Sequence, residues 1–123
     1  MNKFESKEDY LERILMLTEQ NDFVRAIDIA TSMNYSKPSV SIALKKLKSE
    51  DYITVDETNG SIKLTSKGYN VALEIYERHK ILSTALIMIG VDPIIAKEDA
   101  CKIEHDLSKQ TIAKIKEFVE RKK

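Results

Sequence analysis

Three side chains that can bind a transition metal lie within five consecutive residues of the C-terminal half of the chain: Cys101, Glu104 and His105. Their spacing of i, i+3 and i+4 places them on one face of a helix. A thiolate, a carboxylate and an imidazole together supply half of the coordination shell of a divalent metal. A lone cysteine is more often a small buried side chain, so the prediction of a metal site depends on all three residues together.

Three further candidate ligands lie far from this turn in the sequence. His79 belongs to a long helical pattern, and Asp9 and Glu12 are three residues apart near the N-terminus. Each has a simpler explanation: His79 as a core histidine, Asp9 as the partner of a helix cap at Ser6, and Glu12 as a solvated helix residue. We interpret the three groups as closing together on a divalent metal.

The segment between these ligands has the pattern of a helix-turn-helix. A short helix is predicted over residues 25–33, with Ile27 facing inward. After a turn, Ser36 caps a second helix in which Pro38 is tolerated in the first turn. Residues 31–49 contain four lysines and no acidic residue, although the net charge of the chain is zero. Because a local basic patch matters more to DNA than the total charge, this segment favours DNA binding.

Two β-prone runs, residues 52–55 and 61–64, follow the second helix and flank an Asn59-Gly60 pair. An Asn-Gly pair between such runs indicates a β-hairpin. A hairpin directly after the helix-turn-helix predicts a winged-helix domain.

The remaining pattern is helical at both ends of the chain. We expect a first helix over residues 7–19, capped by Ser6, and a long helix that Thr65 or Ser66 caps, that runs to about residue 89 and that Gly90 ends. Asp92 and Ser108 are predicted to cap two further helices. The long helix is typical of a connector into a dimer core. The predicted domains are therefore residues 1–70, the winged helix, and residues 71–123, a helical dimerisation and metal-binding domain.

Composition limits the class of protein. The hydrophobic fraction is 42% and the charged fraction is 33%, as in folded globular chains. No apolar run approaches the 18 or more residues of a membrane span, and the first residues lack the apolar stretch of a signal peptide. A single cysteine cannot form an internal disulfide, and a thiolate ligand requires a reducing compartment. We therefore expect a cytoplasmic protein.

Four segments carry a resemblance to a known family. They are Glu-Asp-Tyr-Leu-Glu at residues 8–12, Leu-Thr-Ser-Lys-Gly at 64–68, Arg78-His79, and residues 99–108. The chain resembles the metal-dependent repressors that include the diphtheria toxin repressor and the manganese transport regulator, in their short two-domain form. The resemblance implies a mainly α homodimeric repressor of metal-uptake genes, with an N-terminal winged helix-turn-helix, a double-stranded DNA operator and Fe(II) or Mn(II) as co-repressor.

The resemblance also implies the ligand set, and this chain combines features of two branches. Cys101 matches the iron-sensing members, whereas Asp9 matches the manganese-sensing ones. Thiolate favours Fe(II), Co(II) and Zn(II) over Mn(II), but the carboxylates leave Mn(II) open, as they do the choice between one metal and two. A second site of the iron branch is not predicted, because Ser83 and Lys97 replace its ligands. The implied metal ligands are Asp9, Glu12, His79, Cys101, Glu104 and His105.

The resemblance places the DNA-facing surface on the second helix of the helix-turn-helix, where Ile42 can contact a thymine methyl group. Two alternatives stay open. Cys101 and His105 resemble a nucleophile–base pair of an enzyme, although no oxyanion-hole glycine motif accompanies them. The chain also fits a winged-helix regulator that needs no metal. The base-proximal candidates are Ser36, Pro38, Ser39 and Ile42, and the phosphate-binding candidates are Arg25, Lys37, Lys46 and Lys63.

Overall fold

The computed structural model describes residues 3–122 of the protein. Helices and a hairpin follow in the order α1 Lys3–Gln20, α2 Ala26–Met33, α3 Lys37–Ser49, β1 Ile53–Val55, β2 Ile62–Leu64, α4 Ser66–Met88, α5 Pro93–Ile103 and α6 Lys109–Lys122. This order confirms the mainly helical class and the winged helix-turn-helix. Within residues 3–122 we find no helix that combines the length and the apolar character of a membrane span.

The backbone divides into two compact units, residues 1–73 and 74–123. The division falls inside α4, three residues after the predicted end of the DNA-binding domain. Backbone compactness does not show where a functional domain ends, so the domain limits at residues 70 and 71 stay a prediction.

Helix α1 begins earlier than expected. Its range starts at Lys3, so Ser6 lies inside the helix and the predicted start at residue 7 is wrong. Serine is only mildly unfavourable inside a helix, and a cap-like residue does not force a boundary when the residues before it also favour helix. The predicted inward stripe is confirmed, because Leu11, Ile14 and Leu15 are buried.

Helices α2 and α3 form the predicted helix-turn-helix. Asn34 adopts the left-handed conformation after α2, and the Ser36 hydroxyl accepts a hydrogen bond from the Ser39 N–H at 3.3 Å. Ile27, which was expected to face inward, is 47% exposed, because Ile29 takes the buried position on α2. The buried face of α3 is as expected: Val40, Leu44 and Leu47.

The wing is an antiparallel hairpin in which Ile53 pairs with Leu64 and Val55 with Ile62. Its loop is longer than a two-residue turn: the Gly60 N–H donates to the Asp56 carbonyl at 2.7 Å, and Gly60 has φ +75°. Among the described non-glycine residues only Asn34 and Asp51 have positive φ, so Asn59 does not form a type I′ turn.

The wing is tied to the start of α2. The Arg25 Nε donates to the Asn59 carbonyl at 3.0 Å, and the Ile62 N–H donates to the Val24 carbonyl at 2.7 Å. The Arg25 N–H also donates to the Asp28 carboxylate at 2.9 Å and so begins α2. These bonds fix the wing against the first helix of the helix-turn-helix.

A cluster of charged side chains fixes the C-terminal end of α3, where Glu50 is the cap residue. Lys7 Nζ lies 2.8 Å from Glu50 Oε2, and Lys67 Nζ donates to the Glu50 carbonyl at 3.0 Å. Lys67 Nζ also lies 4.3 Å from the centre of the Tyr52 ring, within cation–π range. The hydrogen bond from Lys7 lowers the pKa of Glu50 and raises that of Lys7.

The first turn of α4 packs closely against Tyr52, which follows the Glu50 cap. The Gly68 N–H donates to Thr65 Oγ1 at 3.1 Å, so Thr65 caps the helix. A Cβ on Gly68 would lie 2.0 Å from the Tyr52 carbonyl oxygen. This close approach explains why glycine occupies the last position of the Leu-Thr-Ser-Lys-Gly segment.

The second unit follows the predicted caps. Gly90, with φ +104°, follows the end of α4, and the Asp92 carboxylate accepts from the Ile94 N–H at 2.9 Å to begin α5. The Ser108 hydroxyl accepts from the Thr111 N–H at 3.2 Å before α6. The buried apolar residues of this unit include Ile75, Leu82, Ala96, Ala100 and Val119.

Candidate metal centre and nucleic-acid interface

Glu104 lies between two histidines in the second unit. Its carboxylate is fully buried, with Oε2 at 3.0 Å from His79 Nδ1 and Oε1 at 3.5 Å from His105 Nε2. A carboxylate without solvent needs compensating charge or hydrogen bonds. The structure therefore brings together three of the six predicted ligands: a buried oxygen donor and two imidazoles.

The end of α5 positions this group. The helix ends at Ile103, two residues before His105, so the expectation of a continuous helix through His105 is wrong. Glu104 keeps helical φ and ψ, and its N–H donates to the Ala100 carbonyl at 3.0 Å, but His105 lies in the following turn. A helix that ends here lets the chain turn toward α6, where Ser108 forms the next cap.

Arg78 also contacts this turn. Its Nη1 donates to the Glu104 carbonyl at 3.1 Å and to the Leu107 carbonyl at 3.0 Å, and only 13% of the side chain is exposed. Arg78 belongs to a segment that carries the family resemblance, but residue types do not predict this role, because the partners are backbone oxygens 26 and 29 residues away.

Cys101 lies on α5, three residues before Glu104, and it is exposed. Its burial therefore differs from that of the carboxylate, and the small-buried-residue explanation does not apply. Its role as a thiolate ligand stays a prediction.

The two carboxylates of α1 belong to the first unit. They are three residues apart on the helix, Glu12 is 6% exposed, and Asp9 is partly buried. Glu12 is thus not a solvated helix residue. The explanation of Asp9 as a capping partner also fails, because Ser6 lies inside α1. Both remain predicted ligands.

The donors on these residues suit a divalent transition metal. Imidazole nitrogen, carboxylate oxygen and thiolate sulfur are all ligands of Fe(II), Co(II) and Zn(II), and the oxygen-rich part of the set also suits Mn(II). The buried Glu104 carboxylate between His79 and His105 is the feature that a cation would compensate best. The residues therefore fit such an ion.

The predicted DNA-facing residues share one property, which is exposure. Ile42 on α3 is 70% exposed although it is apolar, and the buried side of α3 is occupied by Val40, Leu44 and Leu47. An exposed face of this kind on the second helix of a helix-turn-helix is available to a DNA groove. The exposed candidates are Arg25, Ser36, Lys37, Pro38, Ser39, Ile42, Lys46 and Lys63.

Comparison with known protein families gives two adjacent matches. Residues 4–61 match the N-terminal DNA-binding domain of the iron-dependent repressors, and residues 65–123 match their metal-binding and dimerisation domain. The chain belongs to this family. Its members combine DNA-binding, metal binding and dimerisation in that order, which agrees with the resemblance found in the sequence.

Individual relatives support the family assignment. The HTH-type transcriptional regulator MntR of Bacillus subtilis is 36% identical over 115 residues, which are 94% of this chain and 80% of MntR. An HTH-type transcriptional regulator of Methanocaldococcus jannaschii is 36% identical over 119 residues, covering 95% of this chain and 94% of the relative. These relatives are transcriptional regulators, so the enzyme hypothesis is set aside.

Solved structures have the same fold. The manganese regulator SloR superposes with a TM-score of 0.81 at 30% identity, covering 93% of this chain and 53% of SloR. IdeR of T. acidophilum gives 0.81 at 28% identity, covering 89% of this chain and 52% of IdeR. This chain therefore spans about half the length of these solved chains.

Proposed function

We propose that this protein is a cytoplasmic homodimeric repressor that binds operator DNA when Fe(II) or Mn(II) is bound, and that it silences metal-uptake genes. The observation that carries the proposal is the buried Glu104 carboxylate between His79 and His105, in a chain whose first unit is a winged helix-turn-helix. The similar solved structures whose titles name a manganese regulator and a manganese-dependent repressor support a metal co-repressor.

In this proposal each ligand has a distinct part. His79 and His105 supply imidazole nitrogens, and Glu104 supplies the buried carboxylate. Cys101 supplies a thiolate, which favours Fe(II) over Mn(II) and also admits Co(II) or Zn(II) in vitro. Asp9 and Glu12 supply carboxylates from the DNA-binding unit. A bound divalent ion would neutralise the negative charge of these carboxylates and of the thiolate.

The regulation follows from where the ligands lie in the chain. Asp9 and Glu12 belong to the first unit, whereas the other four ligands belong to the second. Joint ligation by both groups removes their mutual repulsion and favours the DNA-competent state over other arrangements by its higher metal affinity. Because Cys101 must ionise and the histidines must be neutral to ligate, metal affinity is expected to fall at acid pH.

DNA recognition in this proposal rests on α3 and the wing. Ser39 and Ile42 lie on the exposed face of α3 and have little capacity for bidentate base contacts, so we expect much of the readout to come from phosphates and DNA shape. Lys37, Lys46 and Lys63 are exposed cations suited to phosphates. Two copies of α3 in a dimer would read half-sites about 34 Å apart.

The second unit supports self-association. Ile87 and Met88 at the end of α4 and Ile89 directly after it are 41%, 40% and 71% exposed, and Phe118 on α6 is 41% exposed. A groove of about 500 Å³ runs between these helices, lined partly by Leu86, Ile89 and Phe118. Apolar patches of this kind mark protein–protein contacts. We assign the partner as a second copy, in agreement with the family's dimerisation domain.

The test is a titration of reduced, metal-free protein with Fe(II) and, separately, Mn(II) under anaerobic conditions. The readout is binding to promoter DNA upstream of its own gene or a neighbouring metal-transport gene. Activation at lower free Fe(II) indicates an iron sensor in which Cys101 sets selectivity, whereas equal or better activation by Mn(II) indicates a manganese regulator. DNA binding that neither metal changes would refute the co-repressor and leave a metal-independent winged-helix regulator.

A further inference from the structure

We infer that Arg78 is a positioning residue for metal binding: its guanidinium holds the backbone of the turn at residues 104–107, so that Glu104 and His105 stay beside His79. The inference rests on the proposed function, because it concerns the same ligands. It goes further in assigning a task to a residue that does not itself ligate.

The first support is the pair of hydrogen bonds from one guanidinium nitrogen. Nη1 lies 3.1 Å from the Glu104 carbonyl oxygen and 3.0 Å from that of Leu107, so Arg78 bridges the two ends of the turn. The last carbonyls of a helix have no partner within the helix, and α5 ends at Ile103. A cation at this end also offsets the negative end of the helix dipole.

The second support is the location of Arg78 beside His79 on α4. His79 contacts the carboxylate of Glu104, and Arg78 contacts the backbone carbonyl of the same residue. Two consecutive residues of one helix therefore fix both the side chain and the main chain of Glu104. Because Arg78 binds carbonyl oxygens here, the Glu104 carboxylate remains directed at the histidines.

The third support is burial together with charge. The Arg78 side chain is 13% exposed. It also forms a longer ion pair, in which Nη2 lies 3.7 Å from Oε1 of Glu74, a side chain that is 58% exposed. The guanidinium is nearly buried, and its short hydrogen bonds go to two backbone carbonyls. Its main effect is therefore to order that backbone, not to form a simple ion pair.

The experiment compares R78M with R121M in the full-length protein. Methionine keeps an apolar stem and removes the donors, and Arg121 is an exposed arginine in the last turn of α6, which makes it a matched control. Mn(II) affinity is measured by competition with a chelating dye. Hydrogen exchange of the amides at residues 104–108 is measured without metal, and circular dichroism checks folding.

We expect R78M to bind Mn(II) about 10- to 100-fold more weakly than wild type, as for loss of an outer-shell partner of a metal ligand. We also expect faster exchange in the 104–108 turn of the metal-free variant. R121M should match wild type in both measurements. A purely structural role would lower the melting temperature without changing the affinity of the folded protein.

A folded R78M with wild-type Mn(II) affinity would overturn the inference. If R78M does not fold, R78K replaces it in the test, because lysine retains the charge but lacks the rigid fork of donors. R78K should bind Mn(II) about threefold to tenfold more weakly than wild type. Wild-type Mn(II) affinity in R78K would refute the role of Arg78. If wild-type protein itself binds neither Mn(II) nor Fe(II), the proposed function fails, which is a different result from a variant that binds as well as wild type.

Discussion

Two glutamates in this protein occupy the same kind of position and have opposite surroundings. Glu50 is the cap residue after α3, and Glu104 is the cap residue after α5. A carboxylate at a helix C-terminus is unfavourable, because the carbonyl end of the helix carries partial negative charge. Each glutamate must therefore be compensated.

The compensation differs in kind. Glu50 is 35% exposed and faces Lys7, a permanent cation at neutral pH. Glu104 is fully buried and faces two imidazoles, which are neutral or charged depending on their protonation. A permanent cation beside a half-buried acid serves structure. A buried acid between histidines, whose nitrogens ligate metals when neutral, is suited to hold a metal ion. The difference in partners thus distinguishes the structural cap, Glu50, from the proposed metal-binding cap, Glu104.

The largest test of this comparison makes the same change at both caps. E104Q should weaken Mn(II) and Fe(II) binding by more than about 100-fold, which exceeds the usual cost of losing an outer-shell partner. E50Q should bind both metals like wild type, since Glu50 is assigned no ligand role. Isothermal titration calorimetry measures the affinity of each variant for both metals. An equal loss of metal affinity in the two variants would show that the effect comes from general destabilisation.

A second test disturbs the backbone of the segment that directly follows the structural cap Glu50. G68A places a Cβ 2.0 Å from the Tyr52 carbonyl oxygen, so the segment that follows Glu50 must shift. We expect a loss of about 2 kcal/mol in the free energy of unfolding, in the range for overpacked sites.

G60A is the matched control for G68A. A Cβ on Gly60 meets nothing within 4 Å, and the cost comes from its φ of +75° alone, about 1 kcal/mol. Urea unfolding compares the two variants. A G68A protein as stable as wild type would show that the close approach at Tyr52 is absent in solution.

A third test addresses Cys101, the exposed member of the proposed ligand set. C101D replaces the soft thiolate of Cys101 with a hard carboxylate, so the preference for Fe(II) over Mn(II) should fall by about tenfold. The sulfur-to-cobalt charge-transfer absorption of the Co(II) protein should also disappear. K102A, at the exposed neighbouring position, should leave the preference and the spectrum unchanged. An unaltered Co(II) spectrum in C101D would remove Cys101 from the ligand set.

The smallest effect is expected from pH at the structural cap. The hydrogen bond from Lys7 lowers the pKa of Glu50 from its ordinary 4.5, so the pair stabilises the protein above that pH. This contribution is lost as the pH falls through the lowered pKa of the folded state. Melting curves of wild type and E50Q should therefore differ slightly at neutral pH and converge in acid. A difference that persists at low pH would contradict the ion pair.

Local signals in the sequence were sufficient for most of the fold. Ser36, Asp92 and Ser108 cap helices as expected, because capping is a contact between residues two or three apart. The same logic failed at Ser6, where residues before the cap-like serine also favour helix. It failed at Ile27 because two isoleucines compete for the inward side of a short helix, and periodicity alone does not choose between them.

The candidate site was predictable in residue type and not in environment. Spacing identified Glu104 and His105, but the complete burial of Glu104 depends on packing against α4, which no local pattern encodes. The role of Arg78 was missed for a related reason: its partners are main-chain carbonyls, which every residue has. Such contacts leave no trace in residue identity on the accepting side.

The bond from Arg25 Nε to the Asn59 carbonyl, which ties α2 to the wing loop, has a consequence for the rate of DNA recognition. A guanidinium held at one nitrogen has already lost part of its rotamer freedom in the uncomplexed protein. Its ordering cost is met during folding and not during association. In the proposed complex with DNA, the wing and the start of α2 would therefore present one prearranged surface to the phosphates. Association with DNA then requires no slow rearrangement of the wing loop. R25A should therefore lower the association rate constant for DNA by a larger factor than it raises the dissociation rate constant.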